Sequence, residues 1–121
     1  MTNTAKALYQ FFSGFGLEAY VEHSIPDNAQ LPYISYQLVN PGWRESAVMY
    51  ARVWYRSWSL VAINAKVDEI ENAIGEGISI PTDGGAVYLS KGTPFAQHMP
   101  MEGDDTLRAV YLNLIINAIT T

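Results

Sequence analysis

Apolar residues at Ala5, Leu8, Phe12 and Phe15 recur at spacings of three and four, which is the repeat of one helix face. Thr2 or Thr4 can cap the start of this helix, and Gly14 and Gly16 can stop it. From Leu17 to Glu22 the period changes to two. Leu17, Ala19 and Val21 alternate with Glu18, Tyr20 and Glu22, predicting a short strand at or near a sheet edge, and the turn-rich stretch SIPDNAQLP follows.

The segment YISYQLV after Pro32 and the run from Ala47 to Trp58 are both rich in strand formers, with the breaker NPG between them. They predict a long antiparallel hairpin whose loop covers Pro41 to Ser46. In the second arm, Met49, Ala51 and Val53 form a small apolar face suited to meeting helices. Val48, Tyr50, Arg52, Trp54, Arg56 and Trp58 form the other face, which mixes cations with aromatics.

Ser59 precedes a second helix, in which Ile63, Val67, Ile70 and Ile74 make an apolar stripe opposite Lys66, Asp68, Glu69 and Glu71. Gly75 or Gly77 ends it. A short hairpin, ISI and AVYLS around PTDGG, comes next. Lys91 to Asp105 has two Gly, two Pro and no periodicity, predicting a long loop, and loops of that length in a domain often carry function. A closing strand from Leu107 to Ile119 turns Val110, Leu112, Leu114 and Ile116 to one side, where they would close the sheet centre.

The order helix, strand, hairpin, helix, hairpin, strand lacks the regular alternation of a parallel α/β fold. It predicts an α+β fold in which an antiparallel sheet carries its helices on one face, within a single domain over residues 1–121.

Composition narrows the function. With 49% hydrophobic and only 16% charged residues, the chain is too apolar for disorder and has apolar surface to spend on association. Its eight Tyr and three Trp fit either interfaces or ordinary strands. A net charge of −5 with seven Lys plus Arg offers no footprint for gripping nucleic acid. The absence of Cys removes disulfide, thiolate and cysteine–zinc chemistry. No run approaches the ~18 apolar residues of a membrane span, and the start MTNTAKALYQFF has neither a basic leader region nor a cleavage site, so a cytosolic chain with no membrane partner is expected.

Catalytic signals are weak. His23 and His98 are the available imidazole bases, and neither adjoins a nucleophile motif. Gly103, Asp104 and Asp105 beside Glu102 could hold a hard cation, but a solvated acidic loop is the preferred reading, so neither a metal nor a cofactor is expected. The glycines of SGFG and TDGG lack the strand-then-helix setting of a phosphate cradle.

Interaction signals are stronger. Arg52 and Arg56 flank Trp54 on one strand face, where they can stack within the chain or bond carboxylates across an interface. Trp43, Arg44 and Glu45 place a large aromatic at the expected hairpin tip, with nothing local to bury it. Met99 and Met101 in the long loop complete the candidate contact residues.

Three segments, LPYISYQL, ARVWYRSWSLVAINAKVDEIENAI and DDTLRAVYLNLII, in this order after an N-terminal helix and short strand, resemble the tail-terminator proteins of long-tailed bacteriophages and related prophage minor structural proteins. The resemblance implies a curved antiparallel sheet flanked by helices, assembled as a hexameric ring that caps the tail tube, ends its growth and offers the joining surface to the head. Its implied partners are other copies of the chain, the tail tube protein and head connector proteins, with DNA only passing through the channel. The implied location is the head-proximal end of the virion tail, after synthesis in the host bacterial cytoplasm. In that ring, the Arg52 and Arg56 face would meet acids of the second helix or of the 91–105 loop. The alternatives are another head-to-tail connector, for head completion or as a stopper, and a small ligand-binding α+β barrel dimer. The dimer would be favoured by convergence of Trp54, Tyr50 or His98 on a closed apolar cavity.

Overall fold

The computed structural model describes residues 2–101 and 103–119. Helix α1 (Asn3–Phe12) and a single 3-10 turn (Ser13–Phe15) lead into β1 (Glu18–Val21) and β2 (Tyr33–Tyr36). Then come β3 (Ser46–Arg56), α2 (Val61–Ile74), β4 (Ile78–Thr82), β5 (Gly85–Met99) and β6 (Leu107–Ile119). The fold is α+β, one six-stranded sheet with order β1-β2-β3-β6-β5-β4. All neighbours are antiparallel except β1 and β2, which run parallel.

Each helix starts where a hydroxyl satisfies a free backbone donor. The Thr2 side chain accepts from Ala5 N–H at 3.1 Å, and Ser59 Oγ accepts from Val61 N–H at the same distance. Ile63, Val67, Ile70 and Ile74 of α2 are all buried, as their spacing predicts. Each contributes about 1.5–3 kcal/mol of transfer free energy. On α1 the buried stripe is Thr4, Ala7, Leu8 and Phe12, with Ala5 only half-buried, and the Phe12 ring stacks on Tyr36 at 4.7 Å.

Both helices press on one face of the sheet, against Ile34, Met49, Ala51, Val53, Leu112 and Leu114. Helix α1 contacts both edge strands, β1 and β4, so the sheet curls and α1 fills the gap between its edges. β6 lies centrally and pairs along the whole of β3, from Ser46 opposite Asn117 to Arg56 opposite Leu107. The antiparallel hairpin of β2 and β3 forms with a short first arm, Tyr33–Tyr36 opposite Trp54 to Ala51, so most of the pairing of β3 belongs to β6.

The expected loop over Lys91 to Asp105 needs correction. Residues up to Met99 continue β5, and only the segment beyond it connects to β6. Between the pairs Lys91–Leu114 and Ala96–Leu112, residues Gly92 to Phe95 bulge opposite Asn113 alone. The Asn113 side-chain amide closes the bulge by donating to Pro94 O at 2.8 Å and Gln97 Oε1 at 3.2 Å. The bulge destroys the period-two signal on which strand recognition depends, while the ladder to central β6 still holds the backbone extended.

Candidate functional site

The alternation of β3 sends Met49, Ala51 and Val53 into the core and Val48, Tyr50, Arg52, Trp54 and Arg56 to the opposite face, which no helix covers. Midway across that face, Arg52 Nε donates to Glu22 Oε1 at 2.9 Å. The buried Ser35 hydroxyl donates to the same oxygen at 2.7 Å and accepts from Trp54 Nε1 at 3.0 Å. The Arg52 guanidinium also lies over the rings of Tyr50, Trp54 and Tyr111, at 5.5, 5.3 and 5.3 Å. Tyr33 extends the aromatic row from Trp54 to Tyr20.

Burial by itself pulls the Arg52 pKa down, but the hydrogen bond and charge of Glu22, with Tyr111 and Tyr50, carry it above its ordinary value. Tyr33 is raised first by burial and then by the Glu22 charge. Arg52 is thus fixed as a cation between stacked rings, and Tyr33 stays protonated. The arrangement is a rigid stacked platform.

At the β3 exit, Arg56 Nη1 meets Asp104 Oδ2 at 2.6 Å and Thr106 Oγ1 at 3.0 Å. Asp104 is held far below the usual carboxylate range, first by the Arg56 hydrogen bond and then by the Thr106 hydroxyl and N–H. Both strand cations therefore have a carboxylate partner within the chain. Asp105 is exposed, Met99 pairs with Ala109 level with Trp54, and Met101 is half-buried in the connection. Glu102 lies outside the described residues.

Trp43, Arg44 and Glu45 are exposed, Trp43 by 53%. Instead of projecting freely, they lie along the end of β6, where Arg44, at φ +63°, donates its N–H to Ala118 O at 2.7 Å. The candidate residues therefore separate into a central cluster around Arg52 and Trp54 and two groups at opposite ends of β3.

Sequence reasoning did not find the partners Glu22, Ser35 and Tyr111, which arrive from other strands. Nor did it single out Trp58, Leu60 and Val61, an exposed apolar group at the start of α2. An open apolar groove of about 540 Å³ between α1, β1 and the end of β2, lined by Ala5, Tyr9, Ala19, Val21, Tyr36 and Leu38, was equally unmarked. Tyr50, Trp54 and His98 do not line it, and His23 and His98 are exposed. Among the described residues, no group of three or more His, Asp or Glu is placed to hold a metal ion. Among the described residues, no helix is long and apolar enough to cross a membrane.

The fold has a counterpart among solved structures. A chain in the virion of a native gene transfer agent particle superposes with a TM-score of 0.71 at 15% identity, covering 99% of this chain and 96% of that one. No family model matches the sequence. No curated protein matches it either.

Proposed function

We propose that this chain is a non-enzymatic structural protein of a phage-like particle, a tail terminator that forms a ring on the end of the tail tube. The observation that carries the reading is the near end-to-end likeness to a chain of a gene transfer agent virion, with little left over on either side. The sheet face supports it. Its cations are already paired and its rings are stacked on a fixed guanidinium, which suits a preformed contact surface better than a reacting site. A ring needs two unlike patches that match one another, and the chain has distinct exposed groups at the two ends of β3.

In this role the ring stops tube growth and presents its other side to the head connector proteins, and DNA passes through it. The net charge of −5 suits a passage that does not retain phosphates. The test is to polymerise tail tube protein with and without the purified chain and measure tube lengths by electron microscopy, alongside native mass. Shortened tubes capped at one end and a hexameric mass are expected. Tubes of unchanged length with bare ends would overturn the proposal.

A further inference from the structure

Helix α1 and strand β1 do not close on each other. Between them and the end of β2 lies the open groove of about 540 Å³, a volume within the ~300–1,000 Å³ of small-molecule sites. Small residues keep it open, with Ala5 of α1 in one wall and Ala19 of β1 in another. Val21 adds to the apolar lining, and Tyr9 and Leu38, each about half-exposed, form the rim. Among the described residues, no charged side chain lines the groove.

Inside it, one polar group is left without a partner. Tyr36 is 1% exposed and its ring is stacked on Phe12, yet its hydroxyl makes no hydrogen bond among the described residues. Buried hydroxyls are nearly always paired, because an unmet one costs free energy. Among the described residues, Thr4 Oγ1 is the one side-chain oxygen that is both sealed from solvent and unbonded. The Tyr36 hydroxyl therefore reaches open space, and the space that Tyr36 borders is the groove. Burial first, and then the neighbouring Tyr9 phenol, raise the Tyr36 pKa, so at neutral pH the hydroxyl keeps its proton and can donate it.

These features select the occupant. A partner's strand cannot add to β1 beside the groove, because Ala19 is 6% exposed and the backbone there is sealed. A charged ligand would lose its hydration among neutral walls and gain no counter-charge. A wholly apolar one would shut the Tyr36 hydroxyl away from water with nothing to bond. What fits is a neutral molecule, slim enough to pass between Tyr9 and Leu38, with an apolar body and a hydrogen-bond acceptor at one end.

We infer that the groove between α1, β1 and the end of β2 binds a neutral small molecule with an apolar body and a carbonyl or hydroxyl head, the head accepting a hydrogen bond from Tyr36. The apolar body lies along Ala5, Ala19, Val21 and Leu38. Such a site goes beyond the ring reading and is independent of it, and testing it needs no assembly.

The probe is 2-octanone, titrated into nitrogen-15-labelled protein and followed by amide NMR shifts, with octanoate as its charged counterpart. Shifts centred on Ala5, Tyr9, Val21 and Leu38 are expected, with a Kd below about 1 mM and octanoate at least about tenfold weaker. Tyr36→Phe should weaken ketone binding about three- to tenfold and leave the melting temperature unchanged, since the hydroxyl has no partner to lose in the free protein. Ala5→Leu should fill the groove and abolish binding, while Tyr88→Phe, on β5, should change nothing. No shift at about 5 mM ketone, shifts confined to other residues, or equal affinity in Tyr36→Phe would overturn the site. So would a lower melting temperature in Tyr36→Phe, which would show the hydroxyl already engaged within the chain. Shifts at the groove raised by purified tail tube protein and not by the ketone would replace the small molecule with a protein occupant.

Discussion

Glu22 and Arg52 stand thirty positions apart in the chain, yet their side chains meet at 2.9 Å on the sheet face that carries no helix. The carboxylate is nearly buried, and Ser35 donates a second hydrogen bond to the same oxygen. The pair therefore ties the turn that leaves edge strand β1 across β2 to β3.

Removing one partner leaves the other charged and poorly hydrated. Glu22→Ala should cost about 2–4 kcal/mol in urea unfolding. Adding Arg52→Met should recover part of that loss, giving a non-additive double-mutant cycle.

Asp104 supplies a pH dependence of defined sign. Its pKa in the folded chain lies below its unfolded value of about 3.9, so its contribution is fully present above that value and is lost as pH falls toward the folded pKa. Asp104→Asn should lower the melting temperature slightly at neutral pH. The difference from the parent protein should close as pH drops below about 4, as followed by melting temperatures across an acid series.

Gly92 tests the bulge. A Cβ there would come within 3.1 Å of both the Cβ and the carbonyl oxygen of Asn113, whose side chain closes the bulge. Gly92→Ala should cost about 1–3 kcal/mol in denaturant, and amide exchange in residues 91–97 should accelerate.

Thr4 is 1% exposed, and its hydroxyl has no hydrogen-bond partner among the described residues. Thr4→Val keeps the shape and removes the orphaned group, at nearly equal helix propensity. Thermal and urea unfolding should show a gain of about 1 kcal/mol.

The sequence made legible what a single period controls. The stripe of Ile63, Val67, Ile70 and Ile74 and the alternation through Met49, Ala51 and Val53 are both set by the sorting of side chains between water and core, and both lie where the spacing places them. The second half of β5 was not legible, because Gly92 and Pro94 read as breakers when the strand is held by its ladder to β6 and by Asn113. Of the site, the aromatic and cationic face around Arg52 and Trp54 could be read from β3 alone. Its partner Glu22 could not, since a carboxylate on an edge strand reads as solvated until another strand brings a cation to it. The groove is assembled from residues spread between Thr2 and Leu38 and has no local pattern at all.

The central place of β6 governs the order in which the molecule can become itself. Strands β1 to β3 form one block and β4 with β5 another, and neither block touches the other within the sheet until the segment from Leu107 to Ile119 slides between them. A chain emerging from the ribosome therefore carries two half-sheets with raw edges, and its folding waits on contacts between residues far apart in sequence, which favours slow, late consolidation. The sheet is thus one continuous surface only once its last strand is in place.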